Sequence, residues 1–450
     1  MNNGNMNNNN KTNTNRVRAV APVPVSASAA TTEAVYDIPF SSVIRAWIDC
    51  ESNKRSSNSC TKFRWHAARD LVALWHQMRT AQYKPHASMC FMVTYPVLRE
   101  VWAGAFRDRV AHHWENLRYG PVVEKYFVEV GDRSMNCRKG YGSLRAISSM
   151  ERNLYDFTQG YTRPDCYIVG GDFANFFMSL DKPLLWDYLV QLMTEEYRGA
   201  DRDALLYMMR TTLFHRCQDN YYRRSPAEAW EGLPPRKSLF HMDGLPIGNL
   251  PSQIWANFIG AIFTDWVVHY KKVDGFLIFV DDWRCLCRTA EEGRAIIAEF
   301  RDYLKDVLHV TLHPNKIYLQ HYTKGSKMVG AVVKPRRTYI ANRTRGHFID
   351  KMKDYNRKAT THAKRMELME PLRASINSYL GMMVHFKSYK VRRRVCEEYI
   401  LPIWKEYLYF VDDFSKCVLK NRYNRLLVLR KRLHSRKYAA KFIRPKWATD

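Results

Sequence analysis

Phe276-Leu277-Ile278-Phe279-Val280-Asp281-Asp282-Trp283-Arg284-Cys285-Leu286-Cys287 sets two adjacent carboxylates inside an otherwise apolar stretch. The pattern predicts a strand, a tight turn carrying both aspartates, and a return strand. Burying an ionised carboxylate alone is costly, so such a pair shifts its pKa or finds a cation. A hairpin of this kind offers hard oxygen ligands to a metal ion.

A third carboxylate stands in a similar setting. Tyr167-Ile168-Val169-Gly170-Gly171-Asp172 is again an apolar strand ending in an aspartate, followed by Phe173-Ala174-Asn175-Phe176-Phe177. Alone, Asp172 would read as the cap of the next helix. With the Asp281–Asp282 pair, two strands of one sheet would gather three carboxylates. Crowded carboxylates raise one another's pKa unless a cation neutralises them. Mg²⁺ suits such ligands and shares them with substrate phosphates. Two such ions about 4 Å apart clamp the attacking and leaving oxygens of a phosphoryl transfer.

Composition points to the same class of partner. The chain has 450 residues, enough for two to four domains or subdomains, and 46% of them are hydrophobic, as in a globular protein. Its formal net charge of +27 calls for a polyanion, and nucleic acid is the commonest one. An acidic membrane surface is the competitor. Aromatic residues (13%) are mixed with the basic ones, which suits phosphate neutralisation with base stacking and equally suits a large core. The ten cysteines form no C-x-x-C pair, which argues against a zinc site or a disulfide framework and for reduced thiols in a cytoplasmic compartment. The longest uncharged stretch, Gly244 to Thr264, contains Pro246, Asn249, Pro251 and Asn257 and makes a poor membrane span. No secretory signal is visible at the Asn-rich start.

Four segments are expected: a disordered Asn-rich tail over 1–35, helices and short strands over 36–165, alternating strands and helices over 166–335, and a basic helical region over 336–450. Ala67, Leu71, Leu74 and Met78 fall on one helical face. Helices are also expected around Arg109–Tyr119, Lys182–Glu195 and Ile254–Tyr270. From Lys387 to Asp450 there are 18 Lys and Arg against 6 Asp and Glu. Trp404, Tyr407, Tyr409, Phe410 and Tyr423 lie among them, which is read as nucleic-acid contact.

The motifs resemble those of prokaryotic reverse transcriptases. Asp172-Phe173-Ala174-Asn175-Phe176-Phe177 looks like motif A, Gly244 through Gln253 like motif B, and Phe279-Val280-Asp281-Asp282 like motif C with Phe in place of the usual Tyr. They follow in family order, and the likeness runs from about residue 60 to residue 390. It implies an α/β (α+β) right-hand polymerase: fingers in 36–165, a palm with an antiparallel sheet in 166–335, and a helical thumb in 336–450. It also implies metal ligation by Asp172, the Phe173 backbone, Asp281 and Asp282, with Mg²⁺ in two sites and Mn²⁺ as a substitute. Asp281 would bridge both ions with Asp172, and Asp282 would be the outer ligand. Arg99 would grip the incoming triphosphate, since a guanidinium fork suits phosphate oxygens. Phe173, Phe177, Ile247, Gly248 and Gln253 would line the nucleotide site. Phe177 would be the gate against a ribose 2′-OH, with Phe176 as its core neighbour. Lys316, in His313-Pro314-Asn315-Lys316, would protonate the leaving pyrophosphate. Arg107, Arg109, Arg138, Lys139 and the Gly330 turn would contact template and primer.

Ile247-Gly248-x-x-x-Ser252-Gln253, His112-His113 and the Lys334–Thr344 segment look most like the reverse transcriptases of diversity-generating retroelements. That branch implies copying of a template RNA into cDNA from dNTPs with misincorporation at adenines. It also implies a small, basic, oligomeric accessory protein and a cytoplasmic location, the chain being bacterial or phage-encoded. Trp283 and Trp114-Glu115 depart from its usual pattern. The neighbouring alternatives are an antiphage-defence or retron reverse transcriptase. A non-catalytic RNA-binding protein and an RNA-templated RNA polymerase are the alternatives from other classes, opposed by the intact aspartates and by Phe177 respectively.

Overall fold

The computed structural model describes residues 36–426 apart from 53, 56 and 96. The expected tail over 1–35 and the end of the basic region, 427–450, lie outside the described residues. Twelve strands are described: β1 (Ser88–Val93), β2 (Arg99–Ala103), β3 (Tyr167–Asp172), β4 (Tyr221–Arg223), β5 (Leu277–Phe279), β6 (Asp282–Cys287), β7 (Tyr318–His321), β8 (Ser326–Met328), β9 (Ala331–Lys334), β10 (Arg337–Ile340), β11 (Leu408–Val411) and β12 (Lys416–Leu419). They form sheets in the orders β2-β1-β4, β5-β6-β3-β7, β10-β9-β8 and β11-β12. The class is mixed helix and sheet.

The described residues divide into two compact units. One holds the described residues up to Gly142, Gly170–Cys285 and Arg294–Tyr318; the other holds Ser143–Val169, Leu286–Gly293 and the described residues from Leu319 onward.

In the first unit the apolar spacing works as expected. Helix Ala67–Arg79 buries Ala67, Leu71, Leu74 and Met78. The expected helix around Arg109–Tyr119 lies within the longer Phe106–Glu129, and Lys182–Glu196 also forms. Helix Leu250–Asp265 is buried on nearly every side and runs on into a π turn, Trp266–Tyr270. This accounts for the long uncharged stretch: it is a core helix. No described helix is long and apolar enough to cross a membrane. Phe263, on this helix, packs against Phe173, Phe276, Trp283 and Phe300.

Two adjacent glycines fit β3 between its neighbours. Successive strand residues face opposite sides of a sheet. A side-chain carbon on Gly171 would overlap the Trp283 indole, and one on Gly170 would overlap the Tyr318 ring. Trp283 is wholly buried against Phe263 and Phe300. The departure at Trp283 is therefore matched by the absence of a side chain at Gly171. Glu115 has a comparable account. It is fully buried, accepts a 2.6 Å hydrogen bond from Thr212 Oγ1, and burial pushes its carboxyl up to about 8.

In the second unit β8, β9 and β10 form an antiparallel meander, with Met328 opposite Ala331 and Lys334 opposite Arg337. Helices Asn342–Lys358 and His362–Met383 enclose a core of Phe348, Met352, Met369, Leu372, Ile376 and Leu380. The basic region is not wholly helical. Leu408-Tyr409-Phe410-Val411 and Lys416-Cys417-Val418-Leu419 pair as a hairpin, because aromatic and β-branched residues suit strands. Trp404, Tyr407 and Tyr423 belong to the core of this unit, so the aromatic residues expected to stack on bases there are in large part structural.

Gly171→Val is expected to lower the unfolding free energy by about 1–3 kcal/mol through overpacking against Trp283. Urea unfolding measures the loss, and adding Trp283→Leu to the same chain should recover part of it.

Candidate active site

The acidic hairpin forms as expected. Phe279 pairs with Asp282, leaving Val280 and Asp281 as a two-residue turn. Val280 has φ of +61°, a conformation in which glycine is the favoured residue. Holding a β-branched residue there costs on the order of 1–3 kcal/mol and requires outside support. The support is Asn136. Its Oδ1 accepts a 2.7 Å hydrogen bond from Val280 N–H. Asn257, on the core helix, donates through Nδ2 to the Asn136 carbonyl at 3.0 Å and accepts from Ser134 Oγ at 2.7 Å. Arg133 and Met135 exchange backbone hydrogen bonds with Ile278. The segment Arg133–Asn136 thus braces the strand and the turn together.

β3 delivers Asp172 to the same place. Phe173 N–H donates to the Asp281 carbonyl at 3.0 Å, joining the end of β3 to the acidic turn. His313 N–H donates to the Asp172 carbonyl and Ala174 N–H to the Thr311 carbonyl, which brings the Pro314–Lys316 turn alongside. Lys316 Nζ reaches Asp172 Oδ1 at 2.8 Å while remaining half exposed. Asp282 Oδ1 is hydrogen-bonded by Arg284, whose buried guanidinium lies 4.9 Å from the centre of the Tyr318 ring. By strand alternation Asp172 and Asp282 share a face with Gly170 and Arg284, while Gly171, Phe173 and Trp283 face the core.

Electrostatics follows from this crowding. Desolvation pushes the Asp281 carboxyl up to about 6, and the charge of Asp172 adds to the rise. Asp282 is also raised by desolvation, against the opposing pull of Arg284. Among the described residues, no set of three His, Cys, Asp or Glu side chains stands in metal-holding geometry. Lys316 and Arg284 instead occupy oxygens of Asp172 and Asp282. The donor set still fits a hard divalent cation in kind: carboxylate and backbone oxygens, no soft ligand, and one carboxylate whose desolvation a cation would offset.

Arg99 is exposed at the start of β2, while Glu100 and Trp102 point inward. The Glu100 carboxylate, wholly buried, accepts from Trp102 Nε1, Trp230 Nε1, Ser238 Oγ and Leu239 N–H at 2.8–2.9 Å. The motif-B turn is fastened to the same strand. Trp102 N–H donates to the Ile247 carbonyl at 2.7 Å, and Gly104 N–H donates to Asn249 Oδ1 at 3.2 Å. Gly248 has φ of +120°, and a side chain there would overlap the Trp102 carbonyl. Gln253 is exposed on the first turn of the core helix, and Phe177 is half-buried beside the buried Phe176.

Several expected site residues take other roles. Phe173 is buried, with its ring 5.0 Å from Phe176 and 5.9 Å from Phe263, so only its backbone can serve the site. The Ile247 side chain packs against the apolar cluster of Cys90, Trp102 and Met178. Arg107 is buried and binds Gln77, His86, Asp108 and the Lys84 carbonyl. Arg138 is buried, with its guanidinium on Glu124, Asp132 and the Ser134 carbonyl and 3.8 Å from the Tyr141 ring. These two arginines brace the chain where template contact is expected. Arg109 donates to the Gly104 carbonyl at 2.8 Å and is half-buried, and Lys139 is exposed. Gly330, in the second unit, has φ of +85° in the β8–β9 turn, and its carbonyl accepts from Thr344 Oγ1.

Arg284, Asn136 and Asn257 are the site residues that sequence reasoning passed over. Asn257 carried a signal, a lone polar residue inside an apolar run, which must find a partner when buried; Asn136, in a polar stretch, carried none.

No protein-family model matches the chain, and no curated protein matches it. Among solved structures, telomerase from Candida albicans in complex with a TWJ fragment of telomeric RNA aligns at 12% identity and a TM-score of 0.40, over 76% of this chain and 65% of that one. Apo telomerase from Candida tropicalis, truncated from its C-terminal domain, aligns at 10% identity and 0.40, over 61% of this chain and 60% of that one. The chain thus covers less than two thirds of the length of either.

Asn136→Ala leaves the Val280 N–H without its acceptor. It is expected to cost about 1–3 kcal/mol in urea unfolding, whereas Cys137→Ala, at the exposed neighbouring position, should change little.

Proposed function

We propose that this chain is an RNA-directed DNA polymerase of the right-hand type. The observation that carries the proposal is the Phe173–Asp281 backbone bond, which sets Asp172 beside the acidic hairpin, with Lys316 on Asp172. The order of the three motif-like segments in the sequence supports the same reading.

Asp172, the Phe173 carbonyl, Asp281 and Asp282 would hold the divalent cations. Mg²⁺, or Mn²⁺ in its place, would supply charge neutralisation at the phosphate oxygens. The protein's own groups do the rest. Arg99, exposed at the head of β2, offers a planar fork to the triphosphate of an incoming dNTP. Lys316, half exposed on Asp172, would exchange that contact for the leaving pyrophosphate and give it a proton. Phe177, half-buried beside Phe176, would be the ring that excludes a ribose 2′-OH. Gly248 lets the motif-B turn lie against β2, which fixes the start of the helix bearing Gln253. Arg109 and Lys139 remain the candidate template contacts on this unit, and the Gly330 turn the candidate primer contact on the other.

Within this class, the proposal extends to the enzymes of diversity-generating retroelements, which copy a template RNA with errors at adenines and work with a small basic accessory protein. Ile247 supports that extension. Its side chain is committed to an apolar cluster and offers the nucleotide no hydrogen bond, so base selection rests on positioning alone.

Asp281→Asn is expected to abolish primer extension on an RNA template while leaving RNA binding intact in a filter-binding assay. Full extension by this variant would refute the proposal. Phe177→Ala is expected to raise rNTP incorporation relative to dNTP in single-nucleotide extension. An unchanged ratio would remove Phe177 from the gate.

A further inference from the structure

The second unit has a cleft that the proposed chemistry leaves unused. Helix Ser143–Phe157, the β9–β10 turn and the segment around Lys387 enclose about 940 Å³. Arg152, Lys334, Arg336, Arg337 and Lys387 line it, against the carboxylates of Glu151 and Asp156. Glu151 is engaged by the Thr338 hydroxyl. The five cations form no ion pair among the described residues. Some basic side chains elsewhere in this unit are paired along their helices: Arg357 and Lys358 with Asp354, Arg393 with Glu397, and Arg394 with Glu398. The cleft thus gathers five cations with no partner carboxylate among the described residues, three of them within Lys334–Arg337. A second, smaller hollow of about 310 Å³ continues past Arg337 and Lys387 to Tyr339.

Two tyrosines furnish the cleft with flat faces. Tyr155, in the last turn of helix Ser143–Phe157, is 55% exposed. Tyr161 meets it edge-on, with centroids 5.6 Å apart and planes at 83°. Tyr161 is held by costly backbone. Gln159, Gly160 and Tyr161 all have positive φ, 50°, 73° and 67°, and the Tyr161 N–H is caught by the buried Thr158 hydroxyl at 3.1 Å. Arg336 also has positive φ, 60°, in the two-residue turn that closes β9–β10. Strained backbone that presents an arginine and a tyrosine to one cleft is a mark of a binding site.

We propose that this cleft binds a segment of unpaired RNA, with phosphates on the five cations and a base stacked on Tyr155. Basic grooves with accessible aromatic faces are how proteins hold single strands without reading sequence. The choice of RNA over DNA rests on the polymerase reading, in which the template is the strand present unpaired. The single-strand chemistry does not depend on it.

The test is fluorescence anisotropy of the full chain with a short labelled oligouridylate, beside an oligothymidylate of equal length. Arg336→Glu combined with Arg337→Glu should weaken RNA binding roughly tenfold or more and flatten the log–log salt dependence by about 1.4, two phosphate contacts' worth for a single strand. Tyr155→Ala should weaken binding roughly five- to a hundredfold, and Tyr155→Phe should restore it. Extension of a preformed primer–template should persist in all these variants. If the wild type itself extends no primer, the polymerase reading fails while the binding series still decides the cleft. Unchanged affinity and salt slope in the charge-reversed variant would overturn the proposal. So would tighter binding of the DNA oligonucleotide, or equally strong displacement of the RNA by a polyglutamate peptide.

Discussion

The Trp283 indole occupies the space that Gly171 leaves beside it, and the carboxylate face depends on that fit. A strand has only two faces, so sliding either partner by one residue would exchange them. The indole would then seek the polar side, and Asp172 and Asp282 would turn inward among Phe263 and Phe300. The alignment of β3 with β6 is thus fixed by bulk on one side, and the chemistry on the other side inherits it. Arg284 and Tyr318 extend the same logic, since Gly170 makes room for the ring on which the guanidinium rests.

Position across the strands does not by itself hold the turn between them. Val280 adopts a conformation that its own side chain disfavours, and the hydrogen-bonded set of Ser134, Asn136 and Asn257 keeps it there. Two of these residues lie on a loop and one on the most apolar helix of the molecule. The hairpin is therefore anchored to the core through amides rather than charges. Neutral anchors of this kind leave the local field to the three aspartates, Lys316 and Arg284.

The elements were largely legible in the sequence because apolar spacing survives folding unchanged. The acidic hairpin, β3 and the helices at Ala67, Arg109 and Lys182 all follow from it. The helix from Leu250 was legible as helix, and its burial explains why it carries no charge. Less legible was which polar groups turn inward. Arg107 and Arg138 sit in basic stretches that suit phosphate contact, yet each is enclosed by partners up to about thirty residues away in sequence that no local pattern reveals. Phe173 follows a strand-terminal aspartate and reads as site lining, but alternation sends its ring to the core. The β11–β12 hairpin was hidden by the surrounding basic charge, which dominates composition without specifying backbone.

All ten cysteines are free thiols, and nine of them are buried. Burial pushes Cys90, Cys166, Cys217 and Cys417 up to about 12, which leaves them slow to react. Cys137 alone is exposed; burial raises its thiol too, and the Asn136 amide that steadies the acidic turn donates to its sulfur at 3.3 Å. The natural chain thus already carries a single addressable handle beside its most constrained loop. A group attached to that sulfur would displace the Asn136 amide's contact with it, so modification there would bear on the hairpin itself.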